Sequence, residues 1–598
     1  MKNTISVEDS IKTLLKKSHY IYPSFESYGS PSGFQTYGVL GTGLKRRVID
    51  LWRKIFCPMN SPDDEISIYE IDTPIVGPEK LYIASGHVDR FTDPVAKDKD
   101  GRIERVDHYI KARIKIDKTM SDDDKESMIN SLDNLTNEQL QDALTKYAEP
   151  DRQFNEIYDQ NLMLSTSTNL MNTTSYLRPE TAQGLITEFK NIYKFNGESL
   201  PFGISQIGRV YRKEIRTTPF TRLTEFEQAE IEVFNDPTKP ITLSDIILNT
   251  KINVFSNNDQ ESGTRYDYDT SKRCLKDMIN CGLNTIIALF MYKISQFMQT
   301  LGIDPKRIRF RQHLKNELAH YSSDCWDMEY LIRDKSIILN EVDPSESYWI
   351  EVIGIADRGC YDLTQHGPVR IKRIIDPPEI RIVIKPTFNP KTFYKTFKQD
   401  SNILKTYIEN LCQEDPLFVD KLIFNNSNNL ATSLTFDNKT FNIDSSLVTV
   451  SKSKELVSSE EFVPHIIEPS IGVDRLIYAI LNSRYWVRPE DSDRCVMSLS
   501  SIIAPIQVVI LPLLTKPIIT KHIGSVVNMV SKITSYYKVD SSGASIGKKY
   551  SRSDEIGIPY AITIDYQTDN DLTVTIRNRD DTTQIRVKID DLAKHLSF

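Results

Sequence analysis

Three segments of this chain carry charged side chains at spacings that suit the binding of phosphate and ammonium groups. The first is Ile207-Gly-Arg-Val-Tyr-Arg212-Lys213-Glu214, followed after a polar stretch by Arg222-Leu223-Thr-Glu225-Phe226. Arginine suits phosphate because its planar fork makes two parallel charge-assisted hydrogen bonds. A phenylalanine nearby can stack on a purine. The second is Glu468-Pro469-Ser470-Ile-Gly472-Val-Asp474-Arg475, which runs into an apolar helix from Leu476. A glycine followed three residues later by an arginine at a helix start sets a cation beside the helix N-terminus, again suited to phosphate. The third is Gly77-Pro78, read as a turn after a strand. Taken singly, Glu180 reads as a surface acid, Arg212 as a salt-bridge arginine and Phe226 as a core residue.

The common nucleotide signatures are absent. No GxxxxGK[ST] occurs; Gly543-Ala-Ser-Ile-Gly547-Lys548-Lys549 has the wrong spacing and lacks the hydroxyl that holds magnesium. Gly41-Thr-Gly43 lacks the third glycine of a dinucleotide fingerprint, and there is no HExxH. A nucleotide must therefore bind on another fold. His313 and His320, seven residues apart, could share a helix face, but read as structural histidines rather than metal ligands. Cys325 and Cys360 read as small buried apolar residues.

The elements that must position these groups follow from periodicity. Leu44, Val48, Leu51, Trp52 and Ile55 fall at helical spacing, which predicts an amphipathic helix over 44–57. Residues 64–76 read as a strand entering the Gly77-Pro78 turn. Strands are expected over 204–214 and 223–234, joined by an irregular segment, 216–222. A buried helix is expected over 283–302 and a strand over 348–356. Two stretches read as insertions: 94–160, charged and helix-prone with Ser121 as an N-cap, and 380–460, with a hairpin turning at Asp437-Asn438. The chain from about 501 alternates strands (508–511, 537–540, 560–565, 572–577, 584–589) with a helix over 520–536. That pattern predicts a small α/β domain with a largely parallel sheet.

Bulk properties bound the rest. Across 598 residues, 39% hydrophobic and 26% charged side chains are enough for real cores and exclude a disordered chain. A net charge of −8 argues against non-specific nucleic-acid binding but leaves room for a specific RNA partner. Lys45-Arg46-Arg47 and Lys548-Lys549 read as solvated basic faces. With no apolar run of membrane-spanning length, no signal peptide and no CxxC among the seven cysteines, the expectation is no membrane partner and a reducing, cytoplasmic location.

The three segments resemble motifs 2, 3 and 1 of class II aminoacyl-tRNA synthetases. Further stretches narrow the resemblance to glycyl-tRNA synthetases of the eukaryotic and archaeal type: Ser85-Gly-His-Val-Asp-Arg-Phe91, Tyr176-Leu-Arg-Pro-Glu-Thr-Ala-Gln-Gly184, Arg309-Phe-Arg-Gln-His313, Glu317-Leu-Ala-His-Tyr321, Trp349-Ile-Glu351 and Ala356-Asp-Arg358. Val539-Asp-Ser-Ser-Gly543, Ser545-Ile-Gly547 and Asp554-Glu-Ile-Gly557 match near the C-terminus.

The resemblance implies an α+β fold: an antiparallel sheet flanked by helices, with insertions and a C-terminal α/β anticodon-binding domain. The expected division is 1–93 with motif 1, insertion 94–160, core 161–379 with motif 2, insertion 380–460, core 461–500 with motif 3, and 501–598. It implies ATP as substrate with Mg²⁺, glycine and tRNA(Gly) as partners, and a homodimer through motif 1. Arg212 would hold the α-phosphate, and Lys213, Glu214, Arg222 and Leu223 would line the nucleotide. Phe226 and Arg475 would cover the two faces of adenine, Arg475 also reaching the γ-phosphate. Glu351 and Val352 would complete the ATP site, Glu351 as the magnesium contact. Glycine would lie among Glu180, Glu230, Glu468, Pro469 and Ser470.

Steric walls suffice to exclude every larger amino acid, so no editing domain is expected. The cytoplasmic expectation leaves a mitochondrial form open. The chain departs from the family at Thr224, where an arginine is frequent, and at Asp474, where glycine or glutamate is. A non-catalytic relative serving as a tRNA-binding or accessory subunit is the alternative. Such a protein should lose its ATP-site arginines, and Arg212, Arg222 and Arg475 are all present.

Overall fold

Strand residues alternate between two faces, so a strand that is buried along its whole length yet carries acids must face a core on one side and something polar on the other. Residues 228–235 are such a stretch: Ala229, Ile231 and Val233 alternate with Gln228, Glu230 and Glu232, all of them buried. The apolar set joins the main core, and the polar set lies on the opposite face. The computed structural model describes every residue except 1–6, 59–65, 118, 122–123, 126–127, 130–131, 133–134, 150, 168–172, 320, 334–346, 368, 437–438 and 597.

Nine strands build the central sheet: β1 (Ser67–Glu70), β2 (Phe202–Tyr211), β3 (Glu225–Asn235), β4 (Lys251–Phe255), β5 (Lys272–Cys274), β6 (Ile308–Gln312), β7 (Asp324–Arg333), β8 (Ser347–Gly359) and β9 (His465–Gly472). Their spatial order is β5-β4-β6-β7-β8-β9-β3-β2-β1. Neighbours run antiparallel except for the pairs β1/β2 and β4/β6. Its apolar face packs on three helices, α1 (Val39–Phe56), α2 (Thr285–Thr300) and α3 (Val473–Arg484), through Val48, Trp52, Phe56, Phe290, Phe297 and Ile477.

The helix expected over 44–57 thus begins earlier, at Val39. The strand expected over 64–76 is two: β1, and Val76–Pro78, which pairs with Thr174–Leu177. Pro74 lies between them and cannot donate to a ladder. Gly77-Pro78 therefore closes a strand and leads into the helix Glu79–Ala84 rather than forming a turn.

The 94–160 stretch, expected as an insertion, is less helical than its composition implied. Thr92–Lys97, Ile103–Arg105 and Tyr158–Asn161 form a three-stranded sheet, covered by helices Val106–Ile116 and Asn137–Tyr147 around Val106, Ile110, Leu140 and Leu144. Ser121 Oγ accepts from the Asp124 amide at 3.2 Å, as a cap does.

Arg370–Val463 forms a compact unit of its own, wider than 380–460. A long antiparallel pair, Ile371–Phe388 with Val448–Phe462, opens and closes it. Three helices and the hairpin Thr432–Phe436/Lys439–Ile443 surround Phe393, Leu404 and Leu422; the hairpin's turn residues lie outside the described ones.

The C-terminal sheet is mixed rather than largely parallel. Val508–Pro512 lies between Tyr537–Val539 and Tyr560–Ile564, parallel to both, but Thr573–Asn578 and Gln584–Lys588 add antiparallel. Too few residues separate the last three strands for a crossover, which needs about a dozen or more.

The basic tracts are largely absorbed into the structure. Lys45 pairs with Glu227, Arg47 lies 4.0 Å over the Tyr536 ring, and Lys549 is buried with its ammonium 2.8 Å from the Pro512 carbonyl. Only Arg46 and Lys548 of the five stay exposed. Among the described residues no helix is long and apolar enough to cross a membrane.

Helix α1 meets the chain at Tyr20 without room for a side chain: a Cβ on Gly41 would stand 1.9 Å from the Tyr20 carbonyl oxygen. Alanine is the better helix former by about 1 kcal/mol, yet Gly41→Ala is expected to lower the thermal unfolding midpoint by several degrees. A raised midpoint in scanning fluorimetry would contradict this close approach.

Candidate active site

Between β2, β3, β8, β9 and the start of α3 lies a polar cavity of about 200 Å³. Its floor is the acid-bearing face of the sheet. Glu230 on β3 and Glu468 and Ser470 on β9 point there, while Ile467 and Ile471 point into the core. The same alternation turns Pro469 away, so it does not line the cavity. On β8, Met328 pairs with Ile353 but Glu329 with Glu351, leaving Val352 as a bulge residue. A bulge flips the side-chain alternation, and this one brings Glu351 and Val352 to the cavity together.

At the acidic end one buried guanidinium holds the carboxylates in place. Arg358 is 1% exposed and donates to Asp362 at 2.8 and 3.1 Å and to Glu468 at 2.7 Å, with Glu180 3.7 Å away. Its plane stacks 4.1 Å from the Tyr321 ring centre. Gln183 Nε2 bridges Glu180 and Asp362 at 3.0 and 3.1 Å. His87, fixed by Ser85 at 2.8 Å, brings Nε2 to 3.4 Å from Glu180. Glu230 is occupied by protein: it accepts from the Thr181 and Ala182 amides at 2.7 and 3.1 Å, the Thr181 hydroxyl, and Ser470 at 2.7 Å. Deeper still, Glu232 is fully buried, and neither of its carboxyl oxygens has a hydrogen-bond partner among the described residues. The cavity's Gln228 Oε1 is likewise without one.

So many acids around one guanidinium cannot all be ionised in a buried place. Burial raises Glu468 to about 8; Arg358 opposes the rise, and Glu230 and Glu180 add to it. Burial and then Glu468 hold Glu232 well above the usual carboxylate range. Glu180 goes the other way: burial would raise it, but His87 and Arg358 outweigh that and keep it ionised. The cluster therefore keeps protons on Glu468 and Glu232 while Glu180 stays charged.

The other end is cationic. Arg212 lies between the Phe91 and Phe226 rings, 5.4 and 5.3 Å from their centres, and donates to the Pro179 carbonyl at 3.2 Å. Arg475 donates to Glu351 Oε2 at 2.9 Å and to the Thr221 carbonyl at 2.9 Å. The Arg475 guanidinium holds Glu351 below its ordinary range. Arg222 stands 3.8 Å from Glu214, whose carboxyl burial raises against the pull of Arg222 and Arg212. Asp474 ties this end together, accepting from the Tyr37 hydroxyl and the Glu227 amide, each at 2.7 Å, and from Gln35 at 3.1 Å.

The cavity thus gathers Glu180, Arg212, Glu214, Arg222, Leu223, Phe226, Glu230, Glu351, Val352, Glu468, Ser470 and Arg475. Lys213 joins Pro469 outside it: its side chain is exposed, and its amide donates to the Leu162 carbonyl at 2.8 Å. Sequence reasoning missed the roles of Arg358, Asp362, Gln183, His87 and Glu232. The stretches Ser85–Phe91, Tyr176–Gly184 and Ala356-Asp-Arg358 contain three of them, but nothing in their spacing showed that they converge. His313 follows β6 directly and is not helical; its Nε2 is 2.7 Å from Asp327. His320 lies outside the described residues. Cys325 and Cys360 are half-buried rather than buried.

Comparison with known proteins places this geometry. The family model described as the tRNA synthetase class II core domain (G, H, P, S and T) matches residues 167–484, and that of an anticodon binding domain matches 507–597. Glycine–tRNA ligase from Methanothrix thermoacetophila is 34% identical over 97% of this chain and 95% of its own length. Glycine–tRNA ligase 2 of Saccharomyces cerevisiae is 33% identical over 98% and 94%. The crystal structure of prolyl-tRNA synthetase from Cryptosporidium parvum superposes with a TM-score of 0.51 at 10% identity, covering 100% of this chain and 76% of that one, a likeness of fold.

The raised Glu468 has a consequence for stability. The folded chain keeps a proton that the unfolded chain releases above its ordinary value of 4.5, so this group makes stability fall as pH rises from about 4.5 to about 8. Glu468→Gln is expected to flatten that fall and to raise the unfolding midpoint relative to the parent at pH 8. Parallel midpoints for the two proteins across that range would contradict the assignment.

Proposed function

The chain belongs to the glycine–tRNA ligase family of class II aminoacyl-tRNA synthetases, and from that premise we propose how its cavity divides the work. The reaction activates glycine with ATP to glycyl-adenylate and pyrophosphate, then moves glycine to the 3′ end of tRNA(Gly). In the first step a glycine carboxylate oxygen attacks the α-phosphorus and pyrophosphate leaves. In the second, a terminal ribose hydroxyl attacks the adenylate carbonyl and AMP leaves. No covalent enzyme intermediate is required. The protein's task is to hold two anions in line and to neutralise charge as it develops.

The observation that carries this reading is the polarity of the cavity, acidic at one end and cationic at the other. The acidic end receives the glycine ammonium, with Glu180, Glu468 and Ser470 around it; Glu230 holds Ser470 in position. The cationic end receives ATP: Arg212 at the α-phosphate, Phe226 against one face of adenine, and Arg475 over the other and toward the γ-phosphate. Glu214, Arg222, Leu223 and Val352 line the nucleotide. Arg212 is held by two aromatic rings and a carbonyl, so little reorganisation is needed when phosphate arrives.

Mg²⁺ takes oxygen ligands, and Glu351 fits that requirement. Its Oε2 is bound to Arg475 while its side chain stays half exposed to the cavity. When bound, the ion offsets phosphate charge.

The 501–598 domain binds the anticodon arm. A homodimer through motif 1 is supported by exposed Ile75, Val76 and Ile83 around Gly77-Pro78. A cytoplasmic location agrees with seven free cysteines.

Glycine-dependent ATP–pyrophosphate exchange tests the division of labour. The folded parent is expected to exchange with glycine and little with alanine or serine. Arg212→Ala and Arg475→Ala are each expected to fall by about 10²–10³-fold. A folded parent that shows no exchange, with tRNA present, would favour the non-catalytic relative.

A further inference from the structure

Two rows of residues cross the sheet from the cavity toward β7. One runs Glu468, Ala356, Cys325; the other runs Ser470, Gly354, Asp327. All six residues face the same side of the sheet, because Trp326 and Met328 on β7 and Ile353 and Ile355 on β8 point into the core. On β6, Ile308 and Phe310 point to the core, which leaves Arg309 and Arg311 on the cavity face, and His313 continues that parity just past the strand. His313, Cys325 and Asp327 therefore meet beside the cavity, separated from Ser470 and Glu468 only by the small residues of β8. Two strand spacings place them roughly 10 Å away. One ligand atom from each of the three lies within 4.8 Å of the others.

Their neighbours are already engaged. Glu329 is paired with Arg309, Glu317 with Arg311 and Glu351 with Arg475; Asp324 accepts from Gln312 and Trp326. What remains is the His313 Nε2–Asp327 Oδ2 bond at 2.7 Å. Among the described residues no group donates to Asp327 Oδ1 and none bonds the Cys325 thiol. Gly354 lies directly across from Asp327: a Cβ there would touch Asp327 Oδ1 at 3.8 Å, an ordinary contact. The surroundings are rich in carboxylates, and the set is one nitrogen, one sulfur and one oxygen.

We propose that His313, Cys325 and Asp327 form a site for a divalent metal ion of the zinc class, with its fourth position open toward the cavity. Imidazole and thiolate suit a borderline-soft ion, whereas magnesium takes oxygen ligands and has no use for the thiol. Tetrahedral coordination sets ligand atoms about 3.3–3.6 Å apart at the usual zinc bond lengths. The His313–Asp327 pair opens by several tenths of an ångström, the imidazole keeps its one N–H on Nδ1 while Nε2 takes the ion, and the thiol swings in. Binding releases the thiol proton to solvent, so affinity rises with pH. Water or a substrate oxygen completes the shell. This site is distinct from Glu351 and stands whether or not the assignment of magnesium to Glu351 holds.

The test is elemental analysis of the full-length chain after equilibration with zinc and gel filtration, with Cys325→Ser, Asp327→Asn and a Cys412→Ser control. Circular dichroism establishes that each variant is folded. The parent and the Cys412 control should retain about one zinc per chain, with excess Mg²⁺ failing to displace it. Each ligand variant should lose at least about tenfold in affinity. Cobalt in place of zinc should give a thiolate-to-metal absorption band in the parent that Cys325→Ser lacks. A parent that retains no more zinc than Cys325→Ser, or cobalt bound without the thiolate band, overturns the proposal.

Discussion

One buried guanidinium, Arg358, is asked to neutralise more negative charge than it carries. Glu180, Glu468 and Asp362 lie around it, with Glu230 and Glu232 next in line on β3. Unpaired charge in a low-dielectric interior is costly, so Glu468 and Glu232 are held above the usual carboxylate range while Glu180 is held below it. A small cation that enters meets carboxylates already held in place. At an effective dielectric of 20, a charge pair at 4 Å is worth about 4 kcal/mol. A cavity of this kind suits an amino acid that offers an ammonium and no side chain to grip. The raised carboxyls of Glu468 and Glu232 make the folded chain less stable as pH rises, a cost accepted at a binding site.

The rest of the architecture keeps this charge arrangement in place. The sheet separates an apolar face, sealed by α1, α2 and α3, from a polar one, and simple alternation decides which residues reach the cavity. Where alternation would have sent Glu351 the wrong way, the bulge at Val352 corrects it. Asp474 couples the α3 start to β3 and to Tyr37, and Arg475 ties it to the 216–222 segment through the Thr221 carbonyl. Glu230 plays a similar part for Ser470 and the segment around Thr181.

Much of this could be read in the sequence, for identifiable reasons. The helix over 44–57 was legible because its apolar residues recur at helical spacing, and the one over 283–302 because its apolar run is too long for a strand. The phosphate-facing arginines were legible because they stand close together in the chain. Arg358 was not, because a lone arginine in sequence looks like a surface residue, and its partners Glu468 and Glu180 lie more than a hundred positions away. Glu232 was hidden in a run of alternating acids. Lys213 and Pro469 were included for their places in motifs, and only the direction of their side chains removes them from the cavity. The C-terminal sheet was taken as largely parallel because strand count and spacing do not reveal direction unless connection lengths are weighed.

The Glu468 carboxyl, raised by burial to about 8, gives up its proton when an ammonium enters beside the charged Glu180. Calorimetric titration of the full-length protein with glycine at pH 7, in two buffers of very different ionisation enthalpy, tests it most directly. The account predicts that binding releases protons, seen as a heat that changes with the buffer, and that the release disappears in Glu468→Gln. Glycine binding with the same heat in both buffers would contradict it.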